Sequence, residues 1–137
     1  MKQKSKKDFI PCLFIKGSSD KIMIHFHANG EDIGLTKPLM NKIIEKLHIN
    51  ILCVEYPGYG VYRNEDRSLH NRAKLILEDS VTVYEFLRDV CRFKESNIMI
   101  SGRSIGSGPA CHLGSKYKNA MCLLLISPIK SVKDVAR

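Results

Sequence analysis

Short apolar runs alternate with longer amphipathic patterns along the chain. The apolar runs predict five strands, at residues 9–15, 22–27, 50–56, 97–101 and 120–127. Apolar positions recurring every three or four residues predict three helices, at residues 35–47, 73–91 and 106–117. This alternation is typical of βαβ units. It therefore predicts an α/β fold in which helices cover both faces of a mostly parallel sheet.

The predicted helices carry further expectations about individual residues. Pro38 fits the first helix only in its first turn, where the missing N–H costs nothing. Glu31 and Asp32 precede that helix, and capping explains both carboxylates. In the second helix, Phe86 and Val90 flank the apolar stripe, so we expect one broad buried face.

Composition and charge narrow the class of protein. With 137 residues, 44% of them apolar and 26% charged, the chain fits one globular domain. There are 22 Lys and Arg against 14 Asp and Glu, a formal net charge of +8. Four lysines, Lys2, Lys4, Lys6 and Lys7, form a basic tail over residues 1–8. A solvated tail is the favoured interpretation and peripheral contact with an anionic membrane is the alternative, while nucleic acid is not an expected partner because interleaved aromatics are lacking.

The cysteines indicate a reducing compartment. Cys12, Cys53, Cys91, Cys111 and Cys122 are odd in number, widely spaced and free of any C-x-x-C pair. We interpret them as small core residues of a cytoplasmic protein. We expect no metal and no cofactor, since neither ligand spacing nor a phosphate-cradling glycine motif occurs. The histidine pair His25 and His27 is assigned to the core or a loop on the same ground.

The segment from Gly102 to Gly106 matches G-x-S-x-G between a predicted strand and a predicted helix. In that setting the chain reverses sharply, and Ser104 is held in a strained conformation with its hydroxyl above the sheet. The flanking glycines avoid collisions that a Cβ would cause. Ser104 is therefore the candidate nucleophile. The alternative is an ordinary serine in a glycine-rich turn.

A second motif favours the catalytic interpretation. The sequence HANG, from His27 to Gly30, follows the second predicted strand. The carboxyl ends of neighbouring parallel strands converge, and ligands bind there in open α/β sheets. A loop in this position donates the second oxyanion-hole N–H in hydrolases of such architecture.

Together these segments resemble the α/β-hydrolase superfamily, and most closely the alpha/beta hydrolase domain-containing protein 17 type of serine hydrolases, which includes palmitoyl-protein hydrolases. The resemblance runs through KIMIHFHANGEDIG, VEYPGYGVY, SGRSIGSGPACHLG and LLLISPI. It implies that Ser104 attacks an ester, thioester or amide of a small molecule or acylated protein. It also implies that the backbone N–H groups of Ile105 and Asn29 form the oxyanion hole, and that His27 shapes the loop without acting as the base.

The sequence departs from the family pattern in two places. The family writes His-Gly-Asn-Ala where this chain has His-Ala-Asn-Gly. The family's later acid and histidine are also absent, since His112 is about 12 Å along a helix from Ser104 and Asp134 precedes the expected acid position. We therefore expect residues 9–137 to be the N-terminal part of a hydrolase domain, incomplete at its C-terminus, with the strand at 120–127 left as an apolar edge.

Two functional interpretations remain open at this point. The first is a serine hydrolase that is inactive or weak as this chain, because the base is missing. The second is a non-catalytic binding protein of the same lineage, or a gene fragment. His70 lies near the predicted rim and is a weak candidate for substrate contact, while His48 ends a helix and suits the dipole there.

Overall fold

Strands and helices follow one another in the order that the alternating pattern predicts. The computed structural model describes residues 9–64 and 68–131. The elements are β1 (Cys12–Ile15), β2 (Ile22–Phe26), α1 (Ile33–Leu47), β3 (Asn50–Val54), α2 (Leu69–Glu85), β4 (Ile98–Arg103), α3 (Ser107–Lys116) and β5 (Cys122–Ile126). A π-helical segment, Phe86–Val90, extends α2, and 3₁₀ turns precede β4 and α3.

The five strands form one sheet in the order β1-β3-β2-β4-β5. Only β1 is antiparallel to its neighbour, and the other three pairings are parallel. Strands β2 and β3 are buried at every position, which their continuous apolar sequences require in a sheet covered on both faces. The predicted mostly parallel α/β architecture is confirmed.

Two clusters of buried side chains lie on opposite faces of the sheet. Helices α2 and α3 pack over the larger cluster and α1 packs over the smaller one. The larger cluster includes Ile24, Phe26, Tyr84, Ile100 and Leu113, and the smaller includes Met23, Met40, Ile51 and Cys53. Helices thus pack on both faces of the sheet at β2, so the position of the end of this strand is fixed.

The start of α1 corrects one prediction. Asp32 is the N-cap, and its side chain accepts a hydrogen bond of 2.8 Å from the N–H of Leu35. The helix therefore begins at Ile33, two residues before the first residue of the apolar stripe. Pro38 is consequently the sixth residue of the helix and lies in its second turn, where it removes one i to i−4 hydrogen bond.

The end of the second helix differs from the prediction that its flanking apolar residues are buried. Phe86 and Val90 are 50% and 65% exposed, although the apolar pattern predicts that they flank a buried stripe. The π-helical segment Phe86–Val90 has more residues per turn than an α-helix. It therefore rotates these side chains away from the sheet, while Leu87 stays buried.

The cysteines differ from the prediction that all five are core residues. Only Cys53 lies in the core, and the other four are exposed. Cys12 and Cys122 belong to the two edge strands, which present side chains to solvent, and Cys111 lies on the outer side of α3. A small apolar side chain on an edge strand therefore remains exposed when no neighbouring element covers it.

Strand β5 forms the far edge of the sheet and, within the described ranges, pairs only with β4. Leu123 and Leu124 project on opposite faces of β5 and are 42% and 43% exposed. Within the described residues, β5 is thus the apolar edge strand that the sequence predicts.

Candidate active site

Ser104 lies directly after β4, at the turn into a short 3₁₀ segment and then α3. Its φ of 52° places a non-glycine residue in the left-handed region, which is strained for a side chain with a Cβ. The predicted strand-turn-helix setting and strained serine are therefore observed. The role of Ser104 as nucleophile stays a prediction.

The glycines on either side of Ser104 are required by close backbone approaches. A Cβ on Gly102 would lie 2.3 Å from the carbonyl oxygen of Gly106, and a Cβ on Gly106 would lie 2.2 Å from that of Phe26. Both separations are well below any real carbon–oxygen contact. The elbow, defined here as residues 102–106, therefore folds against the end of β2 only because it carries no side chain at these two positions.

The loop after β2 lies beside the elbow. Strands β2 and β4 are parallel neighbours, with Phe26 opposite Gly102 in the register. The backbone of His27 also lies within 3 Å of the Cβ position of Gly106, since its carbonyl oxygen is 2.9 Å away. Residues 27–31, called the oxyanion loop after their predicted role, thus share one rim of the sheet with the elbow.

His27 is wholly buried and has both ring nitrogens occupied. Its Nε2 lies 2.8 Å from Oε1 of Glu55, which is also wholly buried, and its Nδ1 lies 2.9 Å from the carbonyl oxygen of Ala28. Because neither nitrogen is left to accept a proton from Ser104, this geometry agrees with a structural role for His27. A buried pair of this kind is stabilising only while both partners are present.

Glu55 connects three segments around the site. Besides its contact with His27, its carboxylate accepts hydrogen bonds from the N–H groups of Tyr56 at 3.1 Å and Ile33 at 3.2 Å. The apolar pattern predicts only that Glu55 belongs to the strand at residues 50–56. A lone carboxylate within an apolar strand was nevertheless a signal, since a buried charge requires partners.

Glu31 corrects the capping prediction. Asp32 caps α1, but the carboxylate of Glu31 accepts a hydrogen bond of 2.9 Å from the N–H of Ala28 and one of 2.6 Å from Nη1 of Arg103. This bridge joins the oxyanion loop to the residue that precedes Ser104. It also occupies the N–H of Ala28. In contrast, the N–H of Asn29 has no protein acceptor in the part of the chain that the structure describes.

Two tyrosines fix the oxyanion loop from the side of β3. The hydroxyl of Tyr56 donates to the carbonyl oxygen of His27 at 2.7 Å, and that of Tyr59 donates to Oδ1 of Asn29 at 2.8 Å. Burial raises the pKa of Tyr56 far above its usual range, so its phenol stays protonated and donates. The sequence VEYPGYG indicated a turn, but nothing in its pattern pointed to these contacts.

An apolar cleft of about 400 Å³ adjoins the elbow and the oxyanion loop. Its walls come from the turn after β3, from α2 and from the start of α3. The lining includes Asn29, Tyr59, Ile76, Leu77, Ile105 and Pro109. Because both residues predicted to supply oxyanion-hole N–H groups line this cleft, a ligand there would lie beside them.

The side chain of Ser104 is half-buried, and its Oγ has no hydrogen-bond partner among residues 9–64 and 68–131. Its carbonyl oxygen accepts from Oγ of Ser107 at 2.5 Å, which fastens the elbow to α3. Asp134, excluded above as the acid, lies outside the described residues. The hydroxyl is therefore positioned by the backbone and not by a neighbouring base.

In the described residues, no hydrogen bond joins the remaining histidines to Ser104. His25 is buried, with Nδ1 3.0 Å from Oγ of Ser101, and burial lowers its pKa to about 4. His48 ends α1 with a φ of 57°, and His112 lies on α3. His70 is exposed and is not part of the cleft lining. In the described ranges, no three His, Cys, Asp or Glu side chains converge as metal ligands.

Comparison with known proteins relates this arrangement to hydrolases. No family model matches the chain. The human alpha/beta hydrolase domain-containing protein 17B is 27% identical over 99% of this chain, and protein bem46 of Schizosaccharomyces pombe is 28% identical over 82%. The chain spans 46% and 36% of these relatives, less than half of either.

Solved structures share the architecture. An esterase of Pyrococcus furiosus matches 87% of this chain with a TM-score of 0.66 at 20% identity, and the chain covers 46% of it. An esterase of the bacterial hormone-sensitive lipase family gives 0.65 at 17% identity over the same share, and the chain covers 40% of it. The chain thus has the α/β-hydrolase fold, and in sequence it is similar to the alpha/beta hydrolase domain-containing protein 17 group.

Proposed function

We propose that this chain carries the nucleophile and oxyanion hole of a serine hydrolase that cleaves an ester, thioester or amide. The observation that carries the proposal is the strained Ser104 at the carboxyl end of β4, beside the oxyanion loop on the neighbouring strand. The similarity to proteins named as hydrolases and esterases supports it. The fold alone would not, because one fold serves many functions.

In the proposed reaction, Oγ of Ser104 forms a bond to the substrate carbonyl carbon. The carbonyl oxygen becomes an oxyanion, held by the N–H groups of Ile105 and Asn29. The bond to the leaving group then breaks, and water releases the acyl group from the serine. The serine proton passes to a general base and then to the leaving group. No imidazole or carboxylate among residues 9–64 and 68–131 hydrogen-bonds Oγ of Ser104, so this part of the chain supplies no base, and we expect turnover by the chain alone to be slow.

The cleft defines the substrate class in this proposal. A volume of about 400 Å³ lies in the usual range for small-molecule sites. Its aliphatic and aromatic lining favours an apolar acyl or leaving group, carried by a small molecule or by an acylated protein. Nucleic acid is not proposed as a partner.

Labelling with a fluorophosphonate tests the proposal, because a nucleophilic serine displaces fluoride from this reagent and forms a covalent bond to phosphorus. The full chain should acquire one adduct, located on Ser104 by peptide mass spectrometry. The rate of labelling should rise with pH, because hydroxide from solution then takes the proton of Ser104. Ser104→Ala should abolish the adduct. Ser115→Ala, which removes an exposed hydroxyl from α3, is the matched control and should leave labelling unchanged.

An adduct distributed over several serines, or an equal rate in Ser104→Ala, would contradict the proposal. Circular dichroism of each variant must show the same melting curve as the wild type. This measurement separates a chemical effect of Ser104 from loss of the fold.

A second candidate function is ligand binding without turnover. The unpartnered Oγ of Ser104 favours it, since a serine without a base is a poor nucleophile at neutral pH. Under this alternative, an apolar ligand binds the cleft and Ser104→Ala changes neither its affinity nor its chemical fate. Mass spectrometry of an ester after incubation with the chain distinguishes the two.

We also propose a cytoplasmic location with residues 1–8 as a basic tail, ahead of a domain formed by residues 9–137. The tail lies outside the described residues. In the described ranges no helix has the length and hydropathy to cross a bilayer. Under the alternative of peripheral membrane contact, the wild type co-sediments with phosphatidylserine vesicles, and replacing Lys2, Lys4, Lys6 and Lys7 by Gln should abolish this co-sedimentation. Absence of any co-sedimentation of the wild type would reject membrane contact.

A further inference from the structure

Among the described residues that line the apolar cleft, one side chain is formally charged. Arg72 lies near the start of α2 and extends over the turn after β3, where a Cβ on Gly58 would lie 3.2 Å from its Nη1. Its Nε is buried and has no hydrogen-bond partner in the part of the chain that the structure describes. Of the ion pairs found among residues 9–64 and 68–131, none includes Arg72.

Such an arrangement is costly unless a ligand completes it. A buried N–H donor without an acceptor carries a desolvation penalty. An arginine that merely covers apolar surface keeps its donors in water, but the Nε of Arg72 is shielded from water. In ligand sites, a single charged group within apolar walls commonly fixes the orientation of the ligand.

The charge around Arg72 favours an anion. None of the described residues that line the cleft is acidic. Leu69 opens α2 and also lines the cleft, and the first turn of this helix has no acidic residue. The positive end of the helix dipole therefore adds to the guanidinium charge.

We propose that Arg72 binds an oxyanion, a carboxylate or a phosphate, at one end of the apolar group that fills the cleft. The preferred ligands are then anionic amphiphiles. For catalysis this inference rests on the proposed hydrolase function, and it adds that the ester, thioester or amide substrate carries a second, anionic group.

Calorimetric titration of the full chain with octanoate, octyl phosphate and octanol tests the inference. These probes share one alkyl chain and differ in charge. We expect at least one anion to bind about tenfold more tightly than octanol, since a charge-assisted bidentate pair is among the stronger hydrogen-bonded contacts. The tighter of the two identifies the preferred headgroup.

Variants of α2 localise the effect. Arg72→Gln should bring the anions to the affinity of octanol, and Arg72→Lys should restore part of the difference. Lys74→Gln removes an exposed charge from the same helix and should leave the preference intact. Equal binding of all three probes by the wild type, binding of none, or a preference that survives Arg72→Gln would overturn the proposal.

Two further measurements separate this inference from the hydrolase proposal. Ser104→Ala should bind octanoate like the wild type, since Arg72 and not the serine holds the anion. If labelling of Ser104 fails while the anion preference persists, only the catalytic proposal is lost. If labelling succeeds without any anion preference, only the role of Arg72 is lost.

Discussion

The junction of β2 and β4 and the outer edge at β5 use similar apolar sequences but differ in how far they are enclosed. Ile24 and Ile100, at the centre, are fully buried, while Leu123 and Leu124, one strand away, are more than 40% exposed. At the centre, helices press on both faces and the elbow contacts the end of β2 directly. Neighbouring strands and helices, and not the apolar sequence of a strand alone, therefore determine how far its side chains are buried. The candidate site lies at the enclosed junction of β2 and β4, and not at the exposed edge.

The largest expected effect comes from filling the contact between the elbow and β2. Gly106→Ala places a methyl group 2.2 Å from the carbonyl oxygen of Phe26, and backbone on both sides prevents relaxation. We expect the free energy of unfolding to fall by about 4 kcal/mol, at the upper end for a point substitution. Urea denaturation provides the measurement.

Gly108→Ala is the matched control. A Cβ on Gly108, two residues further along, meets no atom within 4 Å. Because alanine favours the helix, this variant should gain up to about 1 kcal/mol. Equal destabilisation by both alanines would show that the elbow and β2 are not in close contact.

The buried pair of His27 and Glu55 is expected to have the next largest effect. Glu55→Ala leaves the imidazole and two backbone N–H groups without their acceptor, and should lower the free energy of unfolding by about 3 kcal/mol. Glu78→Ala breaks an exposed pair with Lys74 and should change it by less than about 0.5 kcal/mol. A similar change in both variants would contradict the structural role of Glu55.

His25 should make stability depend on pH. Burial lowers its pKa in the folded state to about 4, below the ordinary 6.5. The unfolded chain therefore binds a proton that the folded chain refuses between pH 6.5 and pH 4. The contribution of His25 to the free energy of unfolding is complete above pH 6.5 and is lost as pH falls to 4. This contribution is at most about 3 kcal/mol in total. Denaturation curves across this range provide the measurement.

His25→Asn should flatten that pH dependence relative to the wild type. His48→Asn is the control, because His48 is exposed and asparagine tolerates its positive φ. An identical slope in the wild type and His25→Asn would show that His25 does not supply it.

A smaller effect is expected from the bridge between Glu31 and Arg103. Glu31→Ala frees the N–H of Ala28 and releases the oxyanion loop from the elbow, so labelling of Ser104 should slow about tenfold, less than the loss of an oxyanion donor. Glu31→Gln retains an acceptor for Ala28 and should slow it less. Stability should change by less than about 1 kcal/mol. A labelling rate equal to that of the wild type would remove Glu31 from the site.

The smallest change in stability is expected at the exposed edge. Leu124→Lys should leave the free energy of unfolding within about 0.5 kcal/mol of the wild type but suppress self-association in light scattering, because a charged side chain blocks edge-to-edge pairing. Leu47→Lys replaces a leucine on α1 that is 55% exposed, somewhat more than Leu124, and should leave association unchanged. If both lysines act alike, general hydrophobicity and not the edge of β5 causes association.

Most of the architecture follows from local patterns. The five strands and three helices were predictable because periodicity reports which faces are buried, and the G-x-S-x-G spacing located the elbow. The sequence also indicated the apolar edge at β5, although not how far each leucine is exposed.

The contacts that hold the oxyanion loop could not be predicted in the same way. Glu31 pairs with Arg103 across 72 positions, and Tyr56 reaches His27 across 29, so no local period reports either contact. Pro38 was misplaced because the side chain of Asp32, and not the apolar stripe, fixes the start of α1. Long-range partners of polar side chains were the principal information missing.

A crystal structure of the fluorophosphonate adduct would test the central claim most directly. We expect phosphorus bonded to Oγ of Ser104 and the phosphoryl oxygen about 2.7–3.1 Å from the N–H groups of both Ile105 and Asn29. A phosphoryl oxygen turned to solvent, or an adduct on another residue, would contradict the assignment of this rim as an acyl-transfer site.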